Sequence, residues 1–225
     1  TTIAALVLVG CGPSVDIHQA CEDGNIEAVK QYLTAGWDVD AQNSEGQTPL
    51  HVALLRKNFH PTIRQIVELL IKAGTDVNAM DNISATPLYD AIDNSKDKDD
   101  LQLVEMLIAS GANIDFINEN GSSAIGAAIY YSNKEVIEIL IKAGANVNIK
   151  YEDGGTPLHK ASMGFKDKSE IIELLIKNGA IVNAKNAYGA TPLDLAEISK
   201  IEKNNEKVLR NYNAKTGAEL KAAGN

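Results

Sequence analysis

Six times along this chain a four-residue segment returns at a nearly fixed interval. Four copies are clear: Thr48-Pro49-Leu50-His51, Thr86-Pro87-Leu88-Tyr89, Thr156-Pro157-Leu158-His159 and Thr191-Pro192-Leu193-Asp194. Two are degenerate: Val15-Asp16-Ile17-His18 and Ser123-Ala124-Ile125-Gly126. Their first residues stand at 15, 48, 86, 123, 156 and 191, giving steps of 33, 38, 37, 33 and 35 residues. A period of this length means that each unit is one small supersecondary motif, unable to bury its apolar face alone. Stacking neighbours on one another then supplies a continuous core. Six units fill the 225 residues and leave no room for a separate second domain.

Inside each unit the residues predict turn, helix, helix. A threonine at the N-cap is placed to accept a hydrogen bond from a free backbone N–H of the first turn. Proline at the first helical position loses no hydrogen bond there and pre-sets φ. The second helix reads as apolar pairs at helical spacing: Ile66, Val67, Leu69, Leu70 and Ile71, then Lys72-Ala73-Gly74. The run returns as Leu103 to Gly111, Val136 to Gly144 and Ile171 to Gly179. Gly36, Gly74, Gly111, Gly144 and Gly179 fit left-handed caps at the helix ends. Gly46, Gly121, Gly154 and Gly189 are placed for the positive φ of the hairpin tips that follow. This pattern resembles the ankyrin repeat over residues 14–213. The resemblance implies an all-α repeat solenoid of about six helix-turn-helix units joined by β-hairpin-like loops, and a monomer that binds another protein. Polar helical residues mark the ends as caps, and 214–225 reads as a C-terminal tail with Ala222 to Asn225 frayed.

Ahead of the repeats, an apolar run from Ile3 closes in Leu8-Val9-Gly10-Cys11. It resembles the lipobox of bacterial lipoproteins, in which cleavage before the cysteine frees an N-terminus that carries acyl chains. The resemblance implies a signal segment at 1–10, a lipidated Cys11 and a short tether at 11–13. The chain would then be anchored in the bacterial cell envelope, facing the periplasm or on the outer membrane. Two alternatives stay open: an apolar strap on the first repeat, and a cytosolic or host-directed bacterial ankyrin adaptor without an anchor.

Charge and composition narrow the chemistry. A net charge of −9 opposes nucleic-acid binding, because phosphates would be repelled. Two cysteines, Cys11 and Cys21, build no disulfide framework, and Cys21 falls where a small buried core residue belongs. Of four histidines, His18, His51 and His159 occupy the signature and are expected to hydrogen-bond within and between repeats, while His60 stands alone in a loop. No HExxH, CxxC or glycine-rich phosphate loop is present, so no catalysis, metal or cofactor is expected.

The resemblance places a partner on the concave side, formed by hairpin tips and first helices. Candidate tip residues are Met80 and Ile83, Phe116 and Ile117, Tyr151, and Tyr188. Candidates on the inner helices are Leu55 and Arg56 with Val52, Asp90 with Asp93, Tyr130 and Tyr131, and Lys160 with Met163. Trp37 joins them, because it stands where ankyrin repeats carry a small residue. Phe116, Tyr130, Tyr131 and Tyr151 form the expected centre of the patch. The insertions near 57–64, 95–100 and 165–168 read as solvated loops. The fourth unit, lacking both proline and histidine, is expected to be the weakest.

Overall fold

The computed structural model describes residues 16–55, 61–93, 98–163, 166–199 and 203–224. Among these residues the helices come in pairs. They are α1 (Ile17–Glu22) and α2 (Ile26–Thr34), α3 (Pro49–Leu54) and α4 (Pro61–Lys72), and α5 (Pro87–Asp93) and α6 (Lys98–Ala109). Then follow α7 (Ala124–Tyr131) and α8 (Lys134–Lys142), α9 (Pro157–Ser162) and α10 (Ser169–Lys177), and α11 (Pro192–Ser199) and α12 (Lys203–Asn211). A single short helix, α13 (Gly217–Ala222), ends the series. The only pairing of strand type among the described residues is an isolated antiparallel bridge between Ile117 and Ser123.

The start of a typical first helix shows why threonine and histidine recur three residues apart. In α3 the Thr48 amide donates to His51 Nδ1 at 3.2 Å, and Thr48 Oγ1 lies 2.8 Å from the same nitrogen. With Nδ1 accepting, the ring proton sits on Nε2 and is donated to Ala85 O of the next tip at 3.2 Å. Thr156, His159 and Ala190 repeat the arrangement at 3.1, 2.9 and 3.1 Å. His18 Nε2 lies 2.9 Å from Ala41 O and 3.1 Å from Gln47 O, so the first unit is joined to the second in the same way. One side chain therefore caps a helix and bolts two units together.

Second helices bury residues at i, i+1 and i+4: Ile66, Val67 and Leu70; Leu103, Val104 and Leu107; Val136, Ile137 and Leu140; Ile171, Ile172 and Leu175. The signature leucines and isoleucine, Leu50, Leu88, Ile125, Leu158 and Leu193, are fully buried between successive first helices. The result is one apolar cluster running from Ile17 to Ala214. Each such side chain contributes on the order of 2 kcal/mol by leaving water. Cys21 sits in this core with no exposure, and burial pushes its thiol up to about 12, as expected of an inert packing residue.

A second polar ladder runs along the loops after the second helices. Asp40 accepts from Thr75 Oγ1 and the Asp76 amide, Asn78 accepts from the Asn113 amide, and Asp115 accepts from the Asn146 amide. Asn148 accepts from the Ile181 amide and Asn183 from the Lys215 amide. The cap glycines all take left-handed φ, from 74° at Gly36 to 96° at Gly144. At the end of α12 Asn213 fills that role, with φ of 60°.

The ordered fold continues past 213, into the segment expected to be a tail. Thr216 caps α13 in a reciprocal box with Glu219, and Leu220 is buried. Arg210 holds the helix through Glu219 at 2.9 Å, and Asp194 Oδ2 accepts from the Gly217 amide at 2.8 Å. Residues Gly217–Ala222 thus form a helix placed after α12 as a first helix follows each earlier unit.

Candidate functional site

First helices of units three to six, with the tip residue Ser122 and the unit-five insertion, line a groove of about 1080 Å³. Its position follows from the sequence period. Counting from the signature threonine or serine, the fourth and seventh residues of a first helix face the groove. In unit four these are Ala127 and Tyr130, in unit five Lys160 and Met163, and in unit six Leu195 and Ile198. Tyr89, Gly126, Ile129 and Tyr131 complete the wall on one side, and Lys166 and Lys168 close it on the other.

The tyrosines are held in place. Tyr130 and Tyr131 meet edge to face, with centroids 5.0 Å apart at 89°, an arrangement worth about 1 kcal/mol. A hydrogen bond to Asp93 is the main reason the Tyr131 hydroxyl is pushed far up, so this O–H donates to that carboxylate. Tyr130 keeps 72% of its surface exposed, and Met163 keeps 57%.

Of the expected contact residues, the groove brings together Tyr130, Tyr131, Lys160 and Met163. Met80, Ile83 and Tyr188 are exposed on tips outside it. Phe116 and Ile117 are half-buried, Phe116 lining a small cleft between two tips. Trp37 packs on Tyr32 with centroids 5.9 Å apart, away from the groove. Leu55 is half-buried at the end of α3. Cys11, Arg56 and His60 lie outside the described residues, as do 1–10 and the 11–13 tether.

Two residues expected at the surface are buried. Tyr151 is 6% exposed, because it occupies the position five before the signature. In four other tips that position holds Asn43, Asp81, Asn118 or Asn186, each folding its carboxamide or carboxylate back onto two amides of its own turn. Tyr151 instead reaches back to unit four, where its Oη lies 2.9 Å from Ser123 Oγ. Burial pushes this phenol up to about 12, so it is a brace and not a base. Asp90 is 4% exposed, packed where α5 meets its two neighbours. Burial, then Asp81 and Asp93, push its carboxyl up to about 8.

Lys160 lies over the face of Tyr151 with Nζ 3.8 Å from the ring centroid, and donates to Gly121 O at 3.2 Å. Burial lowers its pKa, partly offset by Asp153. Gly126 makes this packing possible: a Cβ there would stand 3.0 Å from Tyr151 Oη and 3.5 Å from Lys160 Nζ. The missed groove residues carried a readable signal in part. Leu195 and Ile198 follow from the same count that finds Lys160 and Met163, whereas Lys166 and Lys168 sit in an insertion whose charge reads as solvated.

Among the described residues no group of three His, Cys, Asp or Glu is placed to hold a metal, and no helix is long and apolar enough to cross a membrane. The family model for ankyrin repeats (three copies) matches residues 17–115, 95–186 and 144–216. The chain is 32% identical over 138 residues to the mouse (Mus musculus) B-cell lymphoma 3 protein homolog, spanning 56% of this chain but only 29% of that protein. Among solved structures, it resembles an ankyrin repeat domain from Acinetobacter baumannii, with a TM-score of 0.77 and 31% identity. The match covers 88% of this chain and 98% of that one. It also resembles a chain from the structure of a Bdellovibrio bacteriovorus predatory endopeptidase in complex with an immunity protein. There the TM-score is 0.73 and the identity 27%, covering 89% and 99%.

Proposed function

The chain belongs to the ankyrin-repeat family, a protein–protein interaction module, and from that premise we propose that it is a non-enzymatic scaffold holding its partner on the concave face of units three to six. The observation that carries this reading is the groove itself. It presents exposed aromatic and apolar side chains on first helices, together with polar groups, which is the composition of a binding patch. A photo-crosslinking residue at Tyr130 tests it against one at Glu138, exposed on a second helix. Cross-links to a defined protein from Tyr130 alone are expected. Equal yield from both positions would break the reading.

We further propose that Cys11 tethers this scaffold in the bacterial cell envelope, on the strength of Leu8-Val9-Gly10-Cys11 and the apolar run before it. Two or more acyl chains would hold the protein firmly, since each buried CH₂ contributes about 0.8 kcal/mol. Intact mass and detergent partitioning of the protein expressed from its full gene test the tether. A product that starts at Cys11 with acyl mass, found in the detergent phase, is the expected result. An unprocessed chain in the aqueous phase would leave the unanchored adaptor in its place.

A further inference from the structure

The charge of the groove runs against that of the whole protein. The chain carries a net −9, and among the described residues five Lys or Arg side chains are ion-paired: Lys30 with Glu27, Arg64 with Glu68, Lys134 with Glu170, Lys177 with Glu173, and Arg210 with Glu197 and Glu219. Lys160, Lys166 and Lys168 are gathered on one concave face. Among the described residues none of the three has a carboxylate within ion-pair distance, and all three line the groove.

Two of these lysines are also partly dehydrated. Lys168 is 9% exposed, and burial, then the charge of Lys166, pull its pKa down. Lys160 is seated on Tyr151 and donates to a backbone carbonyl, Gly121 O. An ammonium group taken from water without a counter-charge costs free energy that a bound anion returns. At the other end the carboxylates are already engaged: Asp90 is buried and shifted toward its protonated form, and Asp93 accepts from Tyr131. The charged side chains that line the groove are therefore all basic and lie at the unit-five end. Between lie Tyr130, Met163, Leu195 and Ile198, an apolar stretch that free carboxylates or phosphate would not use.

From this geometry we infer that the occupant is a segment of a partner protein with acidic residues beside a large apolar side chain, its carboxylates on Lys160, Lys166 and Lys168 and its apolar group on Tyr130 and Met163. The inference rests on the concave-face reading and adds to it the chemistry of the partner. Charge complementarity sets the orientation, and the aromatic stretch supplies the anchor.

A random peptide library displayed on phage, selected on the full chain, tests it. The enriched peptides are then measured by fluorescence anisotropy against two variants, Lys166→Gln/Lys168→Gln and Tyr130→Ala/Met163→Ala, each checked for an unchanged thermal unfolding curve. Acidic peptides containing Leu, Phe or Trp are expected, binding on the order of tenfold more weakly to either variant and weakening as salt is raised. Neutral or basic peptides that lose binding only to Tyr130→Ala/Met163→Ala would overturn the inference while leaving the concave-face reading intact. Peptides that bind both variants as well as the parent would overturn both. Failure to enrich any peptide, or displacement of the acidic peptides by duplex DNA at equal charge, would overturn the assignment of a protein segment.

Discussion

Units four and five are neighbours on one plan, and they differ where units are joined. In unit five His159 closes the start of α9 and donates forward to Ala190 O. In unit four Gly126 stands in the histidine's place, and the join is made from the opposite direction, by Tyr151 reaching back to Ser123. Each junction thus has a polar bolt at the signature, but in unit four it is a hydroxyl pair, with Lys160 donating to Gly121 O beside it. The space a histidine would fill is taken by the Tyr151 hydroxyl, and Gly126 and Lys160 line the groove there. Stability is given up at the place where a partner is proposed to sit.

Removing the two bolts should give unequal losses. His159→Ala strands the Thr156 amide and the Ala190 carbonyl in a buried setting and leaves a void, a loss of about 2–3 kcal/mol. Tyr151→Phe removes one O–H and keeps the ring under Lys160, a loss of about 1 kcal/mol. Urea midpoints of the two variants check the comparison, and a larger loss for Tyr151→Phe would break it. Amide exchange sharpens it further: α7 should exchange faster than α9, and slowest exchange in α7 would contradict a soft fourth unit.

How much of this could be read beforehand depends on whether a residue's role is set by its own unit or by the next. Thr48, Pro49, Gly74 and the apolar pairs of α4 act within one unit, so period and spacing suffice to place them. His51 and His159 also follow, because they recur in register with the tips they bolt. Tyr151 does not follow from its exposed-looking tip. It stands at the asparagine position of the turn, and only the three-dimensional approach of Ser123 takes its hydroxyl inward. Asp90 misleads for a related reason: the helical count puts it on the inner side, but the packing of α5 between α3 and α7 decides its burial. The lysines of the unit-five insertion are invisible to any rule that treats charged insertions as solvated.

Unit three and the histidine units should respond to pH in opposite senses. Burial lowers the pKa of His51 and His159 from the ordinary 6.5. The unfolded chain then binds the extra protons, so their contribution is full above about pH 6.5 and is lost as pH falls toward the folded value. Asp90 is the reverse case, raised from 3.8 to about 8, so the folded chain holds a proton that the unfolded chain releases. Stability from this group is lost as pH rises from about 4 to about 8. Comparing urea midpoints of the parent and Asp90→Asn over that range separates the two. The parent should fall steadily relative to the variant as pH rises, and a pH-independent difference would mean that Asp90 is ionised throughout.

A last comparison sets unit four against unit one, the two in which a tight turn joins the helices. In unit one the turn is made by Gly24 at φ 66°, followed by Asn25 capping α2 through the Ala28 amide at 3.1 Å. In unit four Ser132 takes φ 58°, followed by Asn133 capping α8 through the Val136 amide at 3.1 Å. A left-handed L-residue costs roughly 1–2 kcal/mol, and the buried Ser132 Oγ has no hydrogen-bond partner among the described residues. Glycine removes both costs but adds freedom to the unfolded chain, an offset of about 0.4–1 kcal/mol. Ser132→Gly should therefore stabilise by about 1 kcal/mol, while Gly24→Ser should destabilise by a similar or larger amount. Thermal unfolding of the two exchanges measures the turn alone, since neither residue lines the groove. Destabilisation by Ser132→Gly would show that the serine hydroxyl holds the turn, and the softness of unit four would then rest on its missing histidine alone.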